Sequence, residues 1–295
     1  MNRRFLPRAS LAALMLGVCC ALPTHAQDAP SRLQRIKDSA TIVISYQESA
    51  VPFSFMTPEG PVGFGIDISR KVAQAVKSSL GLAELKIRWN PVTLSTRFPM
   101  ITTNTVDLEC LTTTNTLERQ KMVSFSNTFY VSEEAIAVQR DSKIQSAADL
   151  RGARVAVVRG TTTEAAAISK GLNVVAESSN RRAMSALVEG RADAYVAAAS
   201  IIAGEAYRLE NAGAVRLLGS DGSQEAFGCM LPKGDVAFKK LVDQTLAGMM
   251  QSGEMEAIYD KWFMAPIPPK NRAIGLPLNS ATRAHYRAPD DLPVE

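Results

Sequence analysis

Two stretches of this chain repeat one pattern, and the repetition restricts the fold more than any other feature. A short β-branched run at 41–46 (TIVISY) is followed by a turn region with Pro52 and Pro58. Next comes an apolar stripe at helical spacing, Ile68, Val72, Val76 and Leu80, read as a helix capped by Asp67 and stopped by Gly81. The glycines at 60, 63 and 65 read as a turn leading into that helix rather than as a nucleotide-binding loop. A strand at 86–92, a helix at 97–103 and a strand at 106–110 complete the unit. The pattern restarts at Arg154: a strand running into Gly160, a helix from Thr161, a strand at 173–176, a helix at 182–189 and a strand at 192–197. Strands alternating with helices imply mostly parallel sheets that bind ligands at the carboxyl ends of their strands. Two similar α/β lobes are therefore expected.

The connections between the units carry further information. Residues 133–139 (EEAIAVQ) and 223–231 (SQEAFGCML) read as extended stretches bracketing the second unit, and helices resume near Asp235 and Glu254. Two such crossovers insert the second lobe into the first and form a hinge around a cleft, faced by strand ends and helix N-termini. The expected boundaries are 27–132 with 228–265 for the first lobe, 133–227 for the second, and 266–295 for a proline- and charge-rich tail packed on a lobe.

Composition is that of an ordinary globular protein, with 46% hydrophobic and 21% charged residues, 18 Gly and 15 Pro. The formal charge of +4 invites a polyanionic partner, but Arg3, Arg4 and Arg8 precede an apolar run at 9–22 and a small-x-small Thr24-His25-Ala26. That is an export signal, too short to span a bilayer, and cleavage after Ala26 is expected to deliver the chain to the periplasm. Cys19 as a lipoprotein acceptor and Arg3-Arg4 as a twin-arginine signal are the weaker readings, because Val18 is not small and the spacing to Phe5-Leu6 is short by one. Cleavage leaves a charge of +1, with no basic stripe interleaved with aromatics, so no nucleic-acid partner is expected. It also leaves two cysteines, Cys110 and Cys229, an even pair in an oxidising compartment. A bridge is predicted if they are spatial neighbours, two buried thiols being the alternative. One histidine remains, His285, too few for a histidine-based zinc site; no metal or cofactor is expected.

Three strings then carry a resemblance: Glu109-Cys110-x-Thr112-Thr113-Thr114-Asn115-x-x-Glu118-Arg119-Gln120, residues 223–231, and Asp260-Lys261-Trp262-Phe263 followed by 266–271 (PIPPKN). With Ser49-x-Val51-Pro52-Phe53-Ser54 and Gly160-Thr161-Thr162, their order and spacing resemble the family 3 solute-binding proteins of ABC importers, and among these the glutamate/aspartate binders. The similarity runs from about residue 33 to 289. It implies an α/β, two-lobed periplasmic-binding-protein fold of type II, a monomer that closes on an amino acid or small carboxylate and docks on a membrane permease.

The resemblance also implies roles. Arg119 corresponds to the arginine that holds the ligand α-carboxylate, assisted by Thr112, Thr114 and the Gly160-Thr161-Thr162 turn, whose helix N-terminus favours an anion. Arg97 matches the arginine on the distal acidic group. Three further positions of the acidic binders carry Gln47 for an arginine, Leu94 for a serine and Asn180 for a histidine. Gln47 and Asn180 stay in the expected ligand set, with weaker recognition of an acidic side chain. The acid that pairs with the ligand ammonium falls at Ala198 or Ala199, and Glu177 or Glu48 would have to replace it. An amine-free dicarboxylate or N-substituted acid is therefore the rival ligand. Catalysis of the cyclohexadienyl-dehydratase kind, with Glu48 or Glu177 as acid or base, is the rival function. A membrane-kinase sensor is disfavoured because no kinase follows in the chain.

Overall fold

The computed structural model describes Met1 and residues 31–294; the export signal expected over 1–26 lies outside the described residues. The elements in chain order are α1 (Arg32–Ser39), β1 (Thr41–Tyr46), β2 (Ser49–Ala50), β3 (Ser54–Thr57), β4 (Gly60–Val62), α2 (Phe64–Ser79), β5 (Lys86–Pro91), α3 (Arg97–Thr102), α4 (Leu117–Gln120) and β6 (Val123–Gln139). There follow β7 (Arg154–Val158), α5 (Thr162–Ser169), β8 (Asn173–Glu177), α6 (Asn180–Val188), β9 (Ala194–Ala198), α7 (Ala199–Arg208), β10 (Val215–Pro232), α8 (Val236–Gln251), α9 (Glu254–Phe263) and α10 (Ser280–Arg287).

In the first lobe β1 runs parallel to β5, from Thr41 opposite Lys86 to Tyr46 opposite Pro91. Its core joins chain from before and after the second lobe. Phe53 and Phe64 meet Phe263 and Tyr259 edge-on at centroid distances of 5.4–5.8 Å, so the split lobe packs as one body. The apolar stripe of α2 is fully buried at Ile68, Val72 and Val76, as its spacing predicts. The second lobe is a five-stranded sheet in the order β10-β6-β9-β7-β8. Small residues, among them Ala137, Ala156, Ala183 and Ala186, fill one of its cores and let the helices lie close to the sheet.

The two crossovers are far longer than the sequence suggests. β6 has 17 residues and β10 has 18, and they pair antiparallel from Val215 opposite Gln139 to Pro232 opposite Val123. They leave the second-lobe sheet and enter the aromatic core, where Tyr130 and Phe227 stand 5.9 Å apart. Register breaks at Gly219/Gln224 and around Gly228 interrupt the ladder on β10, and such breaks bend a strand locally.

Two local expectations are corrected. The cap of α2 is Gly63, with φ 135°, and Asp67 sits inside the first turn. A Cβ at Gly63 would lie 2.4 Å from the Phe53 carbonyl oxygen, a long-range contact that no local pattern announces. Asp67 instead accepts from Lys261 Nζ (2.6 Å) and Trp262 Nε1 (2.8 Å), tying α2 to α9. The strand expected at 106–110 appears as isolated bridges, Ile44 with Leu108 and Glu109 with Met230. Here the Asp107 carboxylate takes the Val43 N–H at 2.7 Å, interrupting the backbone ladder, while it also pairs with Arg32 and Arg35.

The tail covers the first half of β6. Thr282 Oγ1 accepts from Val131 N (3.0 Å), Tyr286 donates to the Phe129 carbonyl (3.0 Å), and the Asp290 carbonyl accepts from Thr128 N (2.8 Å). Upstream, Lys270 Nζ donates to the Arg208 and Leu209 carbonyls, closing the C-terminal end of α7. The cysteines are bonded: Cys110 and Cys229 form a disulfide with a Cα–Cα distance of 4.1 Å.

Candidate functional site

A narrow pocket with about 30 Å³ of open space lies between the lobes and is lined from both. Its first-lobe wall grows from α3 and the segment that follows residue 110. Arg97 opens α3 and is 1% exposed. It donates to Thr113 Oγ1 (2.8 Å) and to the Thr112 carbonyl (3.2 Å), while its Nε has no partner among the described residues. Beneath it lies Glu109, wholly buried, accepting from Thr113 (2.7 Å) and Ser45 (3.3 Å). Burial pushes the Glu109 carboxyl up and pulls the Arg97 guanidinium down, and their mutual attraction opposes both shifts.

Arg119 lies in α4, whose cap is Thr116. The guanidinium donates to the Thr114 carbonyl (2.9 Å) and reaches across the cleft to the Gly160 carbonyl (3.3 Å). Burial, and Arg97 nearby, pull it down to about 10, so it stays a cation at neutral pH. Phe98 lies under both arginines, 5.4 Å from each guanidinium carbon.

The second-lobe wall is the turn into α5 with the end of β9. Thr161 caps α5, accepting from Glu164 N (3.1 Å). The Gly160 N–H is already taken by the Glu164 carboxylate (2.8 Å), so the turn offers fewer free donors than the sequence implies. At the end of β9 come Ala197 and Ala198, both lining the pocket and both without a charge.

The structure therefore brings together Arg97, Arg119, Thr112, Thr114, Thr161, Thr162 and Asn180 around one pocket. Asn180 accepts from Tyr195 (3.0 Å). Gln47 stands apart, lining a neighbouring cavity of about 430 Å³ that shares Leu94 and Asn180 with the first. The two acids expected to replace the missing ammonium partner are elsewhere. Glu177 is held by Arg191 (2.8 Å) and Arg182 (3.2 Å), which keep its carboxyl below the usual range, and Glu48 is exposed beside Gln47.

One residue escaped the sequence reading. Glu225 of β10 is buried in the pocket, and its carboxylate accepts from Thr114 of one lobe and from Thr162 Oγ1 (2.6 Å) of the other. Alternation along β10 does not single it out, because Ala226 and Met230 are buried as fully as Phe227 and Cys229 and the register breaks on either side of Gly228.

A two-lobed fold, crossover strands and an arginine-threonine pocket at the strand ends converge with a match of residues 42–265 to the model of bacterial extracellular solute-binding proteins, family 3. The chain belongs to that family. Among family 3 relatives, the L-glutamate/L-aspartate-binding protein of Pseudomonas aeruginosa is 34% identical over 293 residues, covering 97% of each chain. The glutamate/aspartate import solute-binding protein of Salmonella typhimurium is 35% identical over 297 residues, covering 97% of this chain and 98% of its own. Among solved structures, an ancestral amino acid-binding protein described as a precursor of cyclohexadienyl dehydratase aligns with a TM-score of 0.69 at 30% identity, over 79% of this chain and 99% of its own length. These family 3 curated relatives are binding proteins, and the type II fold expected from the sequence is the fold of the chain. Among the described residues no helix is long and apolar enough to cross a membrane.

Proposed function

We propose that this family 3 protein is the periplasmic substrate-binding component of an ABC importer for amino acids, taking glutamate, aspartate or a related small carboxylate. The observation that carries the reading is Arg119, a buried cation at the seam of the two lobes, with donors free to meet a ligand carboxylate. The near full-length likeness to glutamate/aspartate binders supports it. Capture is favoured over catalysis because the near full-length relatives are binding proteins, and neither Glu48 nor Glu177, the acid or base offered by the sequence, lines the pocket. The working protein is a monomer, exported by its cleaved signal and needing no nucleic acid, that closes around the ligand and presents the closed form to a permease. Closure gains only the ligand's differential affinity for the closed state. We place the hinge where β6 and β10 pass from one core to the other, near 132–133 and 227–228.

Isothermal titration of refolded, ligand-free protein tests this. L-glutamate or L-aspartate is expected to bind with one-to-one stoichiometry, and more tightly than glutarate or succinate, which lack the amine. Absence of binding to every amino acid tried would overturn the proposal.

A further inference from the structure

Resting on the reading of the chain as an amino-acid binder, we infer that Glu225 is the residue that receives the ligand ammonium. An α-amino acid brings a cation into the pocket beside its carboxylate, and a buried ammonium without an anionic partner loses most of its affinity. The end of β9 supplies only Ala197 and Ala198 to the pocket wall. Among the described residues lining the pocket the single acid is Glu225.

The state of that carboxylate fits the role. It has two hydrogen bonds, one on each oxygen, from neutral hydroxyls: Thr114 on Oε2 and Thr162 on Oε1. A carboxylate offers about four acceptor sites, so roughly half of its capacity is unfilled. Glu177 is paired with two arginines, whereas no ion pair to Glu225 or to Glu109 occurs among the described residues, and of these three acids Glu225 alone lines the pocket. Arg97 and Arg119 act on it only from beyond contact distance. A buried anion that holds hydroxyls but no contacting cation is a site prepared for one. The carboxylate also joins the lobes, since Thr114 follows the first-lobe wall and Thr162 opens α5 of the second. An ammonium bound there completes a bridge between them. Arg97 and Glu109 attract one another, and Arg119 and Glu225 stand on the pocket wall to face the two ends of a zwitterion.

The test is calorimetry of wild type and Glu225→Gln with two matched ligand pairs, L-glutamate against glutarate and L-aspartate against succinate. Glu225→Gln is expected to lose roughly 100- to 1,000-fold in affinity for the amino acids while binding the amine-free diacids more tightly, because one anion has left a pocket that holds two guanidinium groups. Equal losses for both members of a pair, or unchanged amino-acid affinity, would overturn the assignment. Tighter binding of both classes would also overturn it, showing Glu225 to be an internal competitor for Thr114 and Thr162. The wild type gives a check that needs no variant: equal affinity for an amino acid and its amine-free counterpart contradicts an ammonium receptor. A wild type that binds no amino acid overturns the functional reading itself. Amino-acid binding left intact in Glu225→Gln overturns this inference alone.

Discussion

Arg119→Met is expected to weaken amino-acid binding by roughly 150- to 5,000-fold, equivalent to about 3–5 kcal/mol. The size follows from burial: Arg119 is 8% exposed, and a ligand carboxylate enclosed beside it has little water to replace the lost cation. Met keeps the length and apolar stem, so the contact with Phe98 survives while the fork of donors does not. Arg119→Lys restores the charge without the planar fork and is expected to fall between the two. Thermal midpoints should move little, because the guanidinium bonds two carbonyls at a cleft edge that water can reach when the lobes part. Titration of the three proteins with L-glutamate or L-aspartate reads the series. Unchanged affinity in Arg119→Met would show that the carboxylate is held elsewhere.

Replacing both Cys110 and Cys229 with Ala is expected to lower the unfolding free energy by about 4–5 kcal/mol and the thermal midpoint by roughly 10 °C or more. The bridge closes a loop of 119 residues that contains the whole second lobe, so its removal frees a long stretch of the unfolded chain. Ligand affinity is expected to hold, because both sulfurs sit in the first-lobe core and neither cysteine lines the pocket. Thermal unfolding with and without reductant, paired with titration, checks both halves. A small stability change would mean the unfolded chain is already constrained near these residues, and a large loss of affinity would mean that the bridge shapes the pocket.

How far the site could be read from the sequence depended on whether the decisive contacts were local. The stripe of α2 carried its own periodicity and the helix after Thr161 its own cap, and both formed, although α2 is capped by Gly63 rather than Asp67. Arg119, Thr112 and Thr114 stood in one short string, and the fold places them together. Glu225 was overlooked because its segment read as a hinge, and its partners Thr114 and Thr162 lie 111 and 63 residues away. The resemblance implies an uncharged residue, Ala198 or Ala199, where the acidic binders carry the ammonium partner; a replacement was not legible. Glu177 failed as a candidate for a reason already present in the sequence, since Arg182 and Arg191 are near neighbours able to claim its charge. Gln47 shows the opposite limit. It follows β1 as expected, yet it lines the neighbouring cavity, which shares Leu94 and Asn180 with the pocket.

The central claim is that a zwitterion lies between Arg119 and Glu225, and a crystal structure of the protein with bound L-glutamate or L-aspartate tests it most directly. The account predicts the ligand α-carboxylate within hydrogen-bond distance of the Arg119 guanidinium and the ammonium within hydrogen-bond distance of Glu225. A ligand seated beside Gln47 and Glu48 with Arg119 still bonded only to Thr114 and Gly160, or one whose ammonium points away from Glu225, would contradict it.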